Sequence, residues 1–315
     1  MVIDWLLSGV IVVALLSPLV IFGIAAILFR PIAALNAGLV YLFLYAPIIL
    51  LVVFSFSASR NVGIWGGFTF DWYGEFAEHE QLQDALWVSV KVALWSTLIS
   101  VVLGTLAALA LERFTFRGQK VFEGLLYLPI IIPDVTMAVM MLLFFSHGLD
   151  LVNSLFGIQA TKGIETITIS HIAFNISFVS VVVRARLAGM SETLEEAAMD
   201  LYATRLRTFR FVTLPQIVPG IAGGALLALT LSLDDVVVTQ FAAGPGATTL
   251  PVFVFGLVRR GVTPLINATS VVMLGASILL VLLSLLVQRG RSGGRKQATR
   301  TLDPEVPTTS SLSTR

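Results

Sequence analysis

Three aspartates stand where this sequence can least tolerate charge. Asp134 follows Pro129 and Pro133 in the apolar run YLPIIIPDVTMAVMMLLFF, and Asp234 and Asp235 interrupt LTLSLDDVVV. A carboxylate at the centre of a bilayer-crossing helix costs about 2.5–3.5 kcal/mol on insertion scales, so it faces a bundle interior or a water path. There it could replace the lost hydration of a passing cation with charge-assisted hydrogen bonds. The same acids could also be structural, Asp234 capping a broken helix and Asp134 following a kink at Pro133. Lys91 lies inside another apolar run, where it either snorkels to an interface or pairs with an acid.

Other chemistry is poorly supplied. His79, His147 and His171 are scattered and share no ligand spacing, and Cys is absent, so no metal site is expected. No nucleophile–base pairing is recoverable. There is no GxxxxGK[ST] phosphate loop, hence no ATPase of that kind in this chain.

The elements that hold these residues are set by composition. Of 315 residues, 57% are hydrophobic and 12% charged, with mean hydropathy +0.92. A soluble domain carries about 25% charged residues, so an ordinary soluble enzyme, a disordered chain and a nucleic-acid binder are excluded. The net charge of +1 offers no bulk attraction to a polyanion. Helical spans need about 20 apolar residues each. Seven runs qualify: 5–29, 36–56, 86–111, 122–146, 167–189, 217–240 and 266–288. The first has no basic n-region and is too long for a signal-peptide core.

Lys and Arg set the orientation. Arg30, Arg113, Arg117, Lys120, Arg184, Arg186, Arg205, Arg207, Arg210, Arg289, Arg291, Arg295, Lys296, Arg300 and Arg315 fall at one side. Arg60, Lys162, Arg259 and Arg260 fall at the other. Fifteen against four places the C-terminus in the cytoplasm. Trp65, Trp72, Tyr73 and Trp87 cluster near the outer interface, as amphipathic rings prefer. The tail 289–315, rich in Gly, Ser, Thr, Arg and Pro, reads as disordered.

One cytoplasmic loop is too patterned to be a plain connection. From Ser191, which could cap a first turn, the acids Glu192, Glu195 and Glu196 suit a helix N-terminus. Leu194, Ala197, Ala198 and Leu201 then form an apolar stripe at helical spacing. A second short helix is expected over Arg205–Thr213, broken by Leu214-Pro215. Such a pair suits docking in a partner's groove; it would equally suit a solvated loop pinned to headgroups by arginines.

Glu196-Ala197-Ala198, followed at family spacing by Val212-Thr213-Leu214-Pro215, resembles the EAA loop of permease subunits of ABC importers. The resemblance implies that Glu196, Ala197, Ala198, Asp200, Leu214 and Pro215 couple to an ATP-binding subunit. Tyr202 stands where the family has Gly, and Val212 where it has Ile. Gly takes φ > 0 at a turn and Tyr rarely does, so the turn is expected to differ. The resemblance spans 39–288 and implies an all-α polytopic membrane protein. It divides the chain into an extra N-terminal transmembrane span, 1–35, a six-helix type I permease domain, 36–288, with its EAA coupling loop at 191–220, and the tail.

The run SLDDVVV…GPG…TLP and the Tyr127–Phe145 segment are similar to the spermidine/putrescine branch. That branch implies polyamine cargo, for which Asp134, Asp234 and Asp235 are the candidate path by their placement, and with it an ABC ATPase dimer, a second permease subunit and an extracytoplasmic binding protein. ATP and Mg²⁺ would be used by the ATPase, with no cofactor on this chain. Another organic cation, ferric iron or an inorganic anion is the alternative cargo. An ion-driven carrier would need inverted repeats, which are not seen. Pro129, Pro133, Gly220, Gly223 and Gly224 serve either as hinges for alternating access or as packing points. Leu250 to Val258 is expected to form a short outer helix or re-entrant segment, meeting the binding protein or closing the outer gate.

Overall fold

A computed structural model describes residues 31–191, 193–261 and 263–300, the stretch 283–300 by backbone alone. The expected span 5–29, the end of the tail and Glu192 lie outside the described residues. What is described is α-helical, with one isolated antiparallel bridge, Ser57 to Phe68.

The chain divides into two units at Thr69. In the first, α1 (Pro31–Phe54) is apolar on all sides, and its apolar window has no buried residue. A turn follows in which Phe56 and Phe68 stack with centroids 5.4 Å apart.

The second unit holds α2 (Asp71–Glu78), α3 (Glu80–Arg113), α4 (Gln119–Ile131), α5 (Asp134–Phe156) and α6 (Ile164–Ala188). It continues with α7 (Thr193–Asp200), α8 (Arg205–Thr208), a π turn (Phe209–Thr213) and α9 (Leu214–Asp234). Last come α10 (Val237–Ala242), α11 (Leu250–Arg260) and α12 (Pro264–Arg300). Six described helices are long and apolar enough to span: Pro31–Phe54, Glu80–Arg113, Asp134–Phe156, Ile164–Ala188, Arg205–Asp234 and Pro264–Leu282.

Two expected spans are broken. The run 122–146 is cut at Ile132-Pro133 into α4 and α5, because Pro133 has no N–H and holds ψ 138 at the α5 N-cap. Its spanning helix is therefore α5, which continues to Phe156, past the expected end of the run at 146. The run 217–240 stops at Asp235, which takes ψ 128, and α10 begins afresh. Leu214-Pro215, expected to end a helix, does not. Pro215 falls in the first turn of α9, and the Leu214 N–H reaches back five residues to Phe209 O. The π turn thereby absorbs the missing proline donor. The segment from Leu250 forms α11, the helical one of the two forms expected, and α12 stays helical to Arg300, past residue 289 where composition suggested disorder.

α3, α6 and α9 form the centre. Ala108, Val179, Val183, Leu187, Ile217 and Ala228 pack together there. Small residues bring the helices close: a Cβ on Gly104 would lie 2.8 Å from Val179 Cβ, and one on Gly220 would lie 2.8 Å from Arg186 Cβ. Gly223 and Gly224 also face α6, so the glycines serve as packing points of α9. The interior is otherwise polar. Ser96, Ser100, Ser170, His171, Asn175 and Thr239 are all fully buried.

Candidate functional site

Two places bring the singled-out residues together. The first is at the break between α9 and α10. Asp134 opens α5, Asp234 closes α9, and Asp235 is the extended residue between α9 and α10. All three line one cavity of about 500 Å³ with Phe174, Phe178, Met137 and Leu231. Among the described residues no basic one lines it.

The three carboxylates are not equivalent. Asp235 Oδ2 accepts from the Thr239 N–H and hydroxyl, each at 2.7 Å, and Oδ1 accepts from the Val238 N–H at 3.3 Å. It thus satisfies the orphan amides of α10, and it, rather than Asp234, is the cap. Asp134 and Asp234 are exposed and form no ion pair among the described residues. Asp134 also lies at the positive end of α5, where a carboxylate is favoured.

Behind Asp235 runs a buried polar chain that the sequence did not disclose. His171 on α6 meets Ser232 Oγ at 2.6 Å through Nδ1 and Thr239 Oγ1 at 2.9 Å through Nε2. Its Nε2 lies 3.4 Å from Asp235 Oδ2. Ser232 Oγ in turn meets Ser96 Oγ at 3.0 Å. The partners of His171 are 61 and 68 residues away, so linear spacing carries no trace of them.

The second place is the loop from Ser191. Ser191 Oγ accepts from the Thr193 N–H at 3.3 Å, as its capping role predicted. Glu196 and Ala197 point away from the bundle, as do Leu194 and Leu201, exposed by 50% and 82%. The apolar stripe of α7 therefore faces outward. Glu195 is the residue that holds α7 down. Its Oε1 accepts from Arg113 Nη2 at 2.9 Å and from Thr213 Oγ1 at 2.8 Å, joining α7 to α3 and to the π turn. Sequence reasoning noted Glu195 only as a helix-start acid and did not link it to Arg113. Leu214 is half-buried and Pro215 exposed at the start of α9.

Tyr202 has φ +61, and it is the only non-glycine with positive φ among the described residues. The Ala203 N–H bonds to Ala198 O at 3.1 Å and the Tyr202 N–H to Met199 O at 2.9 Å. This double bond pattern is a Schellman C-cap with Tyr in the left-handed position that Gly normally takes. The expectation of a changed turn is corrected. Tyr202 adopts the glycine conformation because its side chain, 95% exposed, meets nothing there. Asp200, the last residue of α7, is exposed beside it.

A third cluster was also missed. Arg184 on α6 donates to Glu112 on α3 at 3.1 Å and to Glu123 on α4, tying the broken fourth run to the centre.

Residues 100–290 match the family model of the binding-protein-dependent transport system inner membrane component. The chain belongs to this family. The permease is 43% identical over 240 residues to the putrescine transport system permease protein PotI of Escherichia coli (strain K12), covering 75% of this chain and 83% of that one. It is 37% identical over 255 residues to the spermidine/putrescine transport system permease protein PotC of the same strain, covering 81% and 93%. Among solved structures it resembles a chain of a bacterial ABC transporter involved in the import of alginate, with TM-score 0.69 and 20% identity. That match covers 85% of this chain and 98% of the other. The permease is thus a multi-pass membrane protein with the ABC importer permease fold.

Proposed function

We propose that the permease is one transmembrane subunit of an ATP-driven importer of polyamines, spermidine or putrescine. The observation that carries this reading is the convergence of Asp134 with Asp234 and Asp235, about 100 residues further on, on one cavity lined by no cation among the described residues. Its volume of about 500 Å³ lies within the roughly 300–1,000 Å³ of small-molecule sites. Acids spaced around Phe174 and Phe178 suit a flexible chain with ammonium groups, which aromatic faces also attract. An inorganic anion would meet only repulsion there.

The cycle that fits is alternating access driven from outside this chain. A loaded extracytoplasmic binding protein docks at the end carrying α11. A dimer of ABC ATPase subunits binds ATP and Mg²⁺ and receives the outward face of α7, Glu196, Ala197 and Leu201 included. A second permease subunit completes the path, and the apolar surface of α1 suits such a neighbour or lipid. The C-terminus lies in the cytoplasm, following the excess of Lys and Arg at that side. This chain couples hydrolysis without performing it.

The test is uptake of labelled spermidine and putrescine into proteoliposomes holding the assembled importer with its binding protein. ATP-dependent uptake that disappears in Asp234→Asn/Asp235→Asn while ATPase activity persists is the expected outcome. A complex whose ATPase answers its binding protein but which moves neither polyamine would refute the cargo.

A further inference from the structure

His171 is fully buried and does not line the cavity, yet it is bonded to the residue that shapes it. We propose that His171 is a positioning residue for the Asp234–Asp235 pair, an inference that rests on the assignment of those acids to cargo. The argument begins with donors and acceptors. Thr239 Oγ1 gives its hydrogen to Asp235 Oδ2 at 2.7 Å and keeps lone pairs free to accept from His171 Nε2–H at 2.9 Å. With Nε2 protonated, Nδ1 accepts from Ser232 Oγ–H at 2.6 Å, and Ser232 accepts from Ser96, whose hydroxyl lies closer to it, at 3.0 Å, than to its other acceptor Ala93 O, at 3.3 Å. One neutral tautomer therefore satisfies every member, and the hydrogen bonds run in one direction from α3 through α9 and α6 to Asp235.

The consequence is geometric. Asp235 carries the backbone break, and its neighbour Asp234 reaches the cavity from the last turn of α9. Fixing the Asp235 carboxylate on α10 and α6 fixes the bend and the direction in which Asp234 projects. Holding a charged group to productive geometry requires that its own supports be locked, which a fully satisfied buried chain achieves. The His171 ring also lies 5.2 Å from that of Phe174, the aromatic wall of the same cavity.

The test uses three variants in the complete importer, with putrescine uptake and ATP hydrolysis measured together at saturating loaded binding protein. His171→Gln places an amide donor near the position of Nε2 and retains the arm toward Thr239 and Asp235. His171→Asn retains only the arm toward Ser232, and His171→Leu retains neither. Putrescine moved per ATP is expected to fall about tenfold in the Leu and Asn variants, the upper scale of one lost neutral hydrogen bond. His171→Gln should stay within about threefold of the parent, and stimulated ATPase should hold in all three. Equal losses in Gln and Asn, or parallel losses of ATPase and uptake in all three, would make His171 a packing residue and overturn the proposal. Asp235→Asn is run alongside. If it leaves putrescine per ATP unchanged, the cargo assignment fails and the positioning role with it. If it lowers the ratio while His171→Leu does not, the positioning role alone fails.

Discussion

Glu195 offers the sharpest test of how α7 is coupled to the bundle, because it and Glu196 are adjacent in sequence and opposite in position. Glu195 joins Arg113 at 2.9 Å, with side-chain exposures of 19% and 16%, and takes the Thr213 hydroxyl at 2.8 Å. Glu196 is exposed on the outward face. Glu195→Gln keeps the shape and removes the charge. A hydrogen bond to a charged group contributes about 1.5–3 kcal/mol, more than a solvated surface pair provides. Gln keeps an acceptor oxygen, so the clasp weakens from about 2 to about 1 kcal/mol, which shifts the ratio of clasped to released α7 by about fivefold. The ATPase subunits should still assemble with this variant, since the outward face of α7 is untouched, but binding-protein stimulation of hydrolysis and uptake should both fall about fivefold. Glu196→Arg should instead weaken assembly itself, read by co-purification of the ATPase. The exchanged pair Glu195→Arg/Arg113→Glu restores opposite charges at the same place and should recover part of the stimulation. Full stimulation and uptake in Glu195→Gln would refute the clasp as the mechanical link.

Two predictions concern backbone and packing. Tyr202 is held at φ +61, a conformation costing an L-residue about 1–2 kcal/mol, so Tyr202→Gly should raise or preserve the melting temperature of the assembled importer. Tyr202→Val, β-branched in the same place, should lower it, and a stable Val variant would show that the turn relaxes. Gly104→Ala would set a Cβ 2.8 Å from Val179 Cβ and 2.9 Å from Ile176 O, an overpacking that costs about 1–3 kcal/mol. Gly124→Ala on α4 meets nothing within 4 Å and should be tolerated. Equal melting temperatures for the two alanine variants would contradict the close α3–α6 approach.

The sequence shows spans well because a lipid-crossing helix needs length and apolar composition, both local properties. It shows the helix at 250–260 and the α7 stripe for similar reasons. What it hides are breaks and partners. The run 122–146 is apolar throughout, so hydropathy passes over the cut at Pro133; the missing N–H marks it, but proline also occurs inside intact helices such as α4 and α9. Asp235 ends α9 because its carboxylate offers the following amides an alternative to the helix ladder, a competition that only geometry resolves. His171 looked inert on its own. Its function depends on hydroxyls from three other helices, and serines and threonines are too common in membrane helices to signal a network. Glu195 and Glu196 differ by one residue, which is 100° around a helix and the difference between holding the bundle and facing outward.

The two places are joined by one element. α9 begins immediately after Thr213, the hydroxyl held by Glu195, and ends at Asp234, beside the residue held through Thr239 and His171. Its 21 residues make a rod of about 32 Å, comparable to the hydrocarbon thickness of a bilayer. The π turn matters for this reason. Had Leu214-Pro215 broken the chain, displacement of α7 would have been lost in a flexible joint; instead the helix is continuous from Arg205. Glycines 220 and 224 seat the rod directly on α6, the helix that carries both Arg184 and His171. A rod held by polar contacts at each end and by close apolar contact between them moves as a unit or not at all. In the proposed cycle that is the property required of the part that turns ATP-driven closure at α7 into a rearrangement of the acids around the cargo.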